Sequence, residues 1–376
     1  MKANIENAQL SGIRAFAAEY AGQKDMVFLT IGEPDMDTPE NIKEAAIQAL
    51  HDNHTHYPPA MGNTDLREKI AQYESSFYGE NFTAEQVIVV NGATEALALA
   101  HWTLLEAGDE VIIPTPCFPL YKSQVEIVGA KAVSLDISSS NFQLNKDELL
   151  FKASAKTKAI VFASPNNPTG TIYDQSSFDA LAALLDMYPD IYVIIDEVYR
   201  SMVYDVDYKS FRQIEQYRDR IILVTSFSKS HAMTGWRVGY VVAPESLMDS
   251  MHKLHQNIVT GVSNFTQKAC LVALDTDTSE MSDIYKEKRT MILSHLDAMG
   301  LSYPYPDGAF YVFIDIREFG MDSISFAKAM AEVVKLVVVP GIYFGTEGFI
   351  RISYGGSDDI LEEGMKRLAA FFATLK

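Results

Sequence analysis

The chain has 376 residues, of which 48% are hydrophobic, and a formal net charge of -19 at pH 7. This acidity argues against nucleic acid or an anionic membrane surface as a partner, because both are bound by clustered Lys and Arg. The first residues lack the charged and apolar regions of a signal peptide, and no apolar run approaches membrane-spanning length. Because Cys117 and Cys270 are the only cysteines, we expect no disulfide framework and a cytoplasmic protein.

Strand-like and helix-like segments alternate along most of the chain. A helix is predicted to start at Thr38 and Pro39, with one apolar face made of Ile42, Ala45, Ala46, Ala49 and Leu50. Strands are predicted at residues 87–90, 110–113, 132–135, 159–162, 191–195, 221–224 and 238–242, with helices such as 175–186 between them. This order predicts an α/β fold with a mostly parallel central sheet and helices on both faces.

The C-terminal part has a different organisation. Strand candidates at residues 308–314, 336–339 and 349–354 lie among helices, which predicts a smaller α+β domain. We therefore expect a large domain over residues 36–265 and a small domain over residues 266–376, with residues 1–35 as a separate N-terminal segment.

A lysine follows the buried strand predicted at residues 221–224. Desolvation and neighbouring cations disfavour an ammonium at such a place, so the pKa of Lys229 is expected to fall until the neutral, nucleophilic amine is accessible. A lysine that forms a Schiff base requires this. Arg237 has the fork geometry that suits a phosphate, and Ser226 and Ser228 add hydroxyl groups. Together these residues indicate pyridoxal phosphate as the cofactor.

Residues 226–240 closely resemble the cofactor-lysine signature of class I pyridoxal-phosphate aminotransferases, and the run Met-Thr-Gly-Trp-Arg is typical of their aspartate/aromatic subgroup. The resemblance covers essentially the whole chain. It implies the fold of fold type I pyridoxal-phosphate transferases, in which the N-terminal segment packs with the small domain. It also implies an enzyme of amino acid metabolism.

The pyridine ring needs a partner for its nitrogen and for its phenolic oxygen. Asp196 ends a strand-like run, and a buried acid there would be stabilised by the pyridinium N–H, which is the role that the resemblance implies. The resemblance further assigns Tyr199 and Asn167 to the phenolic oxygen. The alternatives are a helix N-cap for Asp196 and an ordinary turn for residues 167–170.

The phosphate and the ring face have candidates as well. The strand at residues 87–90 runs through Gly92 into a helix, whose first amides and dipole form an anion site. By resemblance, Ala93 and Thr94 supply these amides, and Thr94 also supplies its hydroxyl. Phe118 matches the aromatic residue that stacks on the ring, and core packing is the alternative for it.

The substrate and the partner subunit are assigned by resemblance. Arg351 matches the arginine that binds the α-carboxylate of the substrate, and Gly32 matches the glycine whose backbone lies against that carboxylate. A surface arginine with a carboxylate neighbour is the alternative for Arg351. Tyr57 matches a tyrosine that reaches the phosphate of the partner subunit, which implies a homodimer.

Three histidines lie close together in sequence, namely His51, His54 and His56. They lack Cys or carboxylate companions at ligand spacing, so we expect no metal site.

The expected activity is a ping-pong aminotransferase. Lys229 would hold the cofactor and move the proton, and 2-oxoglutarate is the expected acceptor. Residues 227–231 and 253–256 are similar to those of members that act on aromatic amino acids or N-acetyl-diaminopimelate, and aspartate remains a further donor. Two alternatives stay open: a pyridoxal-phosphate carbon–sulfur β-lyase on the same fold, and a cofactor-sensing transcription regulator. The second is disfavoured by the acidic chain and the few residues before Gly32.

Overall fold

The computed structural model describes residues 5 and 11–375. Residues 1–4 and 6–10, which belong to the predicted N-terminal segment and to the region tested for a signal peptide, lie outside the described residues, as does residue 376. The α-helices of residues 11–375 are α1 (Gly12–Tyr20), α2 (Glu40–His51), α3 (Thr64–Tyr78), α4 (Ala93–Leu104), α5 (Leu120–Ile127), α6 (Lys146–Lys152), α7 (Gln175–Met187), α8 (Phe227–Ser230), α9 (Glu245–Ile258), α10 (Asn264–Ala273), α11 (Ser279–Met299), α12 (Ser323–Val334) and α13 (Asp358–Ala373).

The strands are β1 (Val27–Phe28), β2 (Val87–Val90), β3 (Glu110–Thr115), β4 (Lys131–Asp136), β5 (Thr157–Ala163), β6 (Tyr192–Asp196), β7 (Ile221–Ser226), β8 (Gly239–Val242), β9 (Tyr311–Asp315), β10 (Leu336–Val337), β11 (Val339–Pro340) and β12 (Phe349–Ser353). Seven of them form the central sheet in the order β2-β8-β7-β6-β5-β3-β4. β8 is antiparallel to both of its neighbours, whereas the other neighbouring pairs are parallel. The prediction of a mostly parallel sheet is confirmed.

Both faces of this sheet are buried. Along β2, Val87 and Val89 belong to one hydrophobic cluster and Ile88 and Val90 to another. Successive side chains of a strand point to opposite faces, so each face must be covered by helices. The first cluster includes residues of α3 and α7, and the second includes residues of α4 and α9. The predicted helices on both faces are therefore confirmed.

The C-terminal part contains the antiparallel sheet β11-β12-β9, and its β10 pairs in parallel with β1 of the N-terminal segment. A third hydrophobic cluster joins Phe16, Tyr20 and Leu29 to residues of α11, α12 and α13. The N-terminal segment is thus buried together with C-terminal residues. We propose the domain boundaries near residues 35 and 265 on this basis, with α10 spanning the second boundary.

Two details of the predicted elements are wrong. The strand predicted at residues 336–339 is divided, because Leu336 and Val337 pair with β1 whereas Val339 and Pro340 pair with β12. Leu50, predicted on the apolar face of α2, is 46% exposed. The buried face of α2 consists of Ile42, Ala46 and Ala49, and Leu50 lies outside it near the end of the helix.

The sheet fixes where functional side chains gather. β2, β5, β6 and β7 share one direction, so their carboxyl ends, at Val90, Ala163, Asp196 and Ser226, lie at the same edge. Ligands of open α/β sheets bind at this edge. Among the described residues, no helix has the length and apolar character needed to cross a membrane.

Candidate active site

Lys229 lies on the short helix α8, directly after β7. Ser226 caps this turn, because its Oγ accepts the Ser228 N–H at 3.1 Å. Lys229 Nζ donates to Gly32 O and lies 5.7 Å from the centre of the Phe310 ring. Burial lowers the pKa of Lys229 to about 8, so a nucleophilic neutral amine is accessible near neutral pH.

Asp196 is the last residue of β6 and is only 4% exposed. Its Oδ2 accepts a hydrogen bond from the Tyr121 hydroxyl at 2.9 Å, and its Oδ1 accepts the Val198 N–H at 3.3 Å. Burial raises the pKa of Asp196 to about 6, although the Tyr121 hydrogen bond acts in the opposite direction. A cation next to Asp196 would therefore stabilise its charged form.

Arg351 is 2% exposed on the central strand of the β11-β12-β9 sheet. Its Nη1 donates to Asn167 Oδ1 at 2.9 Å and its Nη2 to Thr30 O at 2.6 Å, while its guanidinium lies 4.4 Å from the centre of the Tyr311 ring. Its Nε has no hydrogen-bond partner among the described residues. The alternative of a surface arginine is wrong, and the buried guanidinium is suited to an anion.

A pair of tyrosines, Tyr199 and Tyr311, lies next to Arg351. The hydroxyl groups of Tyr199 and Tyr311 are hydrogen-bonded at 2.7 Å. A side chain added at Gly32 would overlap the Tyr311 hydroxyl, so glycine allows the backbone to approach Tyr311 closely. Burial raises the pKa of Tyr199, which keeps its hydroxyl protonated and able to donate.

The loop between β2 and α4 faces Arg237. Gly92 has a φ of 80°, and an added Cβ there would lie 2.8 Å from Arg237 Nη2. Arg237 Nη2 donates to Asn91 O at 3.3 Å. The amides of Ala93 and Thr94 begin α4, and first-turn amides have no acceptor within their own helix. Arg237 thus contacts the loop that leads into these amides, and a helix start of this kind is suited to an anion.

The other residues singled out in the sequence are Phe118, Tyr57 and the three histidines. Phe118 is half-buried and packs edge-on against Tyr121, with ring centres 6.0 Å apart. Tyr57 is 91% exposed. The structure places His51, His54 and His56 at and after the end of α2, and within the described residues no group of three His, Cys, Asp or Glu could hold a metal ion.

Sequence reasoning did not identify Tyr121 and Tyr311 as site residues. Tyr121 was visible in the segment that contains Phe118, and its position at the start of α5 directs it to Asp196. Tyr311 lies on β9, and its contact with Tyr199 spans 112 positions of the chain. Such a distant pairing leaves no local signal in the sequence.

The arrangement fits pyridoxal phosphate. Asp196 is a buried acid that a pyridinium N–H would satisfy, and the amides that begin α4, after the loop that Arg237 contacts, would suit the phosphate. Lys229 offers a reactive amine, while the unpartnered Nε of Arg351 marks a place for a further acceptor.

Comparison with known proteins gives consistent results. The chain matches the family model for aminotransferases of class I and II over residues 24–368. It is 41% identical to an aspartate aminotransferase of Pyrococcus horikoshii over 367 residues, which are 95% of this chain and 93% of that protein. It is 38% identical to a probable N-acetyl-LL-diaminopimelate aminotransferase of Bacillus subtilis over 370 residues, 96% of this chain and 93% of that protein. The solved structure of Thermus thermophilus aspartate aminotransferase with maleate has a TM-score of 0.93 at 32% identity, covering 98% of this chain and 99% of that one.

Proposed function

Because the chain belongs to the class I and II aminotransferases, which depend on pyridoxal phosphate, we propose that it moves the amino group of an L-amino acid to 2-oxoglutarate by a ping-pong mechanism. The observation that carries this proposal is the position of Lys229 after the carboxyl end of β7, on the side of the sheet where β6 ends at Asp196. The pKa of Lys229 is lowered to about 8 there. A buried amine of this kind can serve as nucleophile and as base.

Lys229 would hold the cofactor through Nζ. The cofactor, when bound, supplies an electron sink for the charge that forms at the substrate Cα. Lys229 Nζ would act as the base that takes the proton from the substrate Cα and as the acid that later returns it. Its lowered pKa keeps a useful fraction of the amine unprotonated at neutral pH.

Asp196 would keep the ring nitrogen of the bound cofactor protonated, because a neighbouring cation stabilises a buried carboxylate in its ionised form. Tyr199 and Asn167 would donate hydrogen bonds to the phenolic oxygen. The Asn167 amide is oriented for this role because its Oδ1 already accepts from Arg351 at 2.9 Å, so its Nδ2 is directed elsewhere.

Arg351 and the backbone at Gly32 orient the α-carboxylate of the substrate. The guanidinium is preorganised by Asn167 and by Thr30 O, so little side-chain entropy is lost when a carboxylate binds. Phe118 would pack on the ring face, and the phosphate would be held by Ala93, Thr94, Ser226, Ser228 and Arg237.

The donor is aspartate, an aromatic amino acid or N-acetyl-diaminopimelate. The names of similar proteins support each of these three donors. We also propose a homodimer in which Tyr57 reaches the neighbouring phosphate, which its 91% exposure permits. Both cysteines are free and buried, which supports a reducing cytoplasm as the location.

The absorption spectrum of the protein saturated with pyridoxal phosphate tests this function. Each candidate donor is added in turn, and 2-oxoglutarate follows. We expect one donor to bleach the band of the lysine-bound cofactor and 2-oxoglutarate to restore it without release of ammonia. Ammonia release, or bleaching that the oxo acid does not reverse, would instead support the carbon–sulfur β-lyase.

Lys229→Ala is the matched control for this titration. The variant should fold and bind pyridoxal phosphate but lose multiple-turnover activity by roughly 100-fold or more, since it lacks both the nucleophile and the base. Full turnover in Lys229→Ala would overturn the assignment.

A further inference from the structure

Glu95 and His255 form a buried pair beneath the loop that precedes α4. Glu95 lies in the first turn of α4, and His255 is on α9. Glu95 Oε1 is 2.6 Å from His255 Nδ1, with side-chain exposures of 9% and 0%. Because an ionised carboxylate only accepts hydrogen bonds, Nδ1 carries the hydrogen. The other ring nitrogen, Nε2, has no hydrogen-bond partner among the described residues, so the polar contact of this ring is the one to Glu95.

The second oxygen of Glu95 holds the loop itself. Oε2 accepts both the Asn91 N–H at 2.6 Å and the Asn91 side-chain Nδ2 at 3.0 Å. The Asn91 carbonyl oxygen accepts from Arg237 Nη2 at 3.3 Å. Glu95 therefore holds the backbone N–H and the side-chain amide of Asn91, while the carbonyl oxygen of Asn91 contacts Arg237, the proposed phosphate-binding arginine.

This contact differs from ordinary helix capping. In a capping box the third helical residue accepts from the backbone of the N-cap residue, which here is Gly92. Glu95 reaches past Gly92 to the residue before it, and the Gly92 N–H is bonded to Val90 O at 2.8 Å instead. The carboxylate thus fixes the position of the loop outside the helix rather than only closing the first turn.

Burying a carboxylate next to an anion site is unfavourable unless it is well paired. Burial raises the pKa of Glu95, but hydrogen bonds from His255 and Asn91 outweigh this effect and hold the pKa below its usual value. The carboxylate is therefore ionised and committed to these two partners. A simple apolar contact between α4 and α9 would avoid this cost, so the pair calls for a role beyond packing.

We propose that Glu95 and His255 are positioning residues for the phosphate of the cofactor: they hold Asn91 so that the first amides of α4 and the guanidinium of Arg237 converge on one anion. This inference rests on the phosphate site of the proposed function. His255 belongs to the segment at residues 253–256 that the proposed catalytic roles leave unused. Its part here is indirect, through Glu95.

The test compares the affinities of the apoprotein for pyridoxal phosphate and for pyridoxal, which lacks the phosphate. Both are measured by absorbance titration, and inorganic phosphate binding is measured by calorimetry. Glu95→Ala should weaken binding of pyridoxal phosphate and of inorganic phosphate by roughly 10- to 100-fold, as expected for lost hydrogen bonds to a charged group. Binding of pyridoxal should stay within about twofold, because its ring contacts do not involve the loop.

Conservative variants separate positioning from folding. Glu95→Gln keeps an oxygen for Asn91 and should lose less affinity than Glu95→Ala. His255→Ala should reproduce part of the loss, and the double variant should be no worse than the more severe single variant, because both act through one pair. Glu80→Gln is the matched control, since Glu80 is a largely buried carboxylate that pairs with Arg212 and Arg218 instead. If Glu95→Ala does not fold, Glu95→Gln and His255→Ala carry the same comparison.

Equal losses for pyridoxal phosphate and pyridoxal, or unchanged affinity for both, would overturn the inference. The variants Arg237→Ala and Thr94→Ala distinguish its failure from that of the proposed function. If these two variants lose affinity for the phosphate but the Glu95 and His255 variants do not, the positioning role alone is wrong. If none of them responds, the phosphate site is misplaced and both proposals fail.

Discussion

The Tyr121 hydroxyl donates a hydrogen bond to Asp196 Oδ2 at 2.9 Å, inside the protein and next to the proposed position of the pyridine nitrogen. Tyr121 is 1% exposed, so water does not compete for this bond. The contact favours the carboxylate form of Asp196, whereas burial favours the neutral acid. Tyr121 thus helps to keep the Asp196 carboxyl group ionised, so that it can pair with a cation.

The titration of Asp196 predicts a pH dependence of the apoprotein. Its pKa is about 6 in the folded chain, against roughly 3.9 when unfolded, so the folded state binds the proton more tightly. The stability that this proton contributes is full below the unfolded pKa and is lost as the pH rises through the folded pKa. Relative to Asp196→Asn, the free energy of unfolding of the wild-type apoprotein should therefore fall by on the order of 1 kcal/mol between about pH 5 and about pH 7.

Urea unfolding of both proteins across this pH range measures the difference, and other titrating groups cancel in the comparison. Tyr121→Phe should move the midpoint of the effect to higher pH, because it removes a hydrogen bond that lowers the pKa of Asp196. If the free energy of unfolding of the wild type relative to Asp196→Asn stays constant or increases with pH, burial does not raise the pKa of Asp196.

The lowered pKa of Lys229 predicts selective reactivity. In the apoprotein its Nζ should react with an amine reagent with a midpoint near pH 8, because its pKa is about 8, whereas ordinary lysines titrate near about 10.4. Mass spectrometry of peptides labelled at a series of pH values gives the midpoint for each lysine. Lys122, which is 61% exposed, is a suitable internal reference. Equal midpoints for Lys229 and Lys122 would show that burial does not activate the amine.

Gly32 is predicted to be intolerant of a side chain. The Cβ of Gly32→Ala would overlap the Tyr311 hydroxyl, and overpacking of this kind costs roughly 1–3 kcal/mol. Because Gly32 and Tyr311 adjoin Lys229 and Arg351, we expect kcat/KM for the amino donor to fall by about 10-fold or more.

A second substitution tests the cause of that loss. Tyr311→Phe removes the overlapping oxygen, so Gly32→Ala combined with Tyr311→Phe should recover part of the activity relative to Tyr311→Phe alone. Gly356→Ala is the control, because an added Cβ there meets only Ile360 Cγ2, at an ordinary 3.8 Å. If the loss for Gly32→Ala is the same with Tyr and with Phe at position 311, the clash is not its cause.

Much of the site could be predicted because its residues lie at the ends of strands or a few residues after them. Asp196, Asn167 and Lys229 each come after an apolar run, and parallel strands bring such positions to one edge of the sheet. Tyr311 and Glu95 could not be assigned in this way, since their roles depend on partners far away in sequence. The division of residues 336–339 was missed for a related reason: an apolar run predicts a strand but does not identify its neighbours.

A buried cluster around Arg200 supports the segment that carries Asp196 and Tyr199. Arg200 Nη1 donates to Glu74 Oε2 at 2.8 Å, its Nη2 donates to Glu74 Oε1, and Glu197 Oε2 lies 3.5 Å from Nη1. The side chains of Arg200, Glu74 and Glu197 are 7%, 1% and 0% exposed. Two buried carboxylates thus depend on one guanidinium.

Arg200→Met is therefore expected to lower the free energy of unfolding by roughly 3–5 kcal/mol at neutral pH, because it leaves both carboxylates buried without their cation. The loss should become smaller at about pH 5, where Glu197, whose pKa is raised by burial, takes up a proton more readily. Urea unfolding at the two pH values measures both effects. Arg317→Met, which removes a 61% exposed arginine from its pair with Asp315, should cost no more than about 1 kcal/mol. A loss for Arg200→Met as small as that of Arg317→Met, or one independent of pH, would mean that the carboxylates do not depend on Arg200 for their charge.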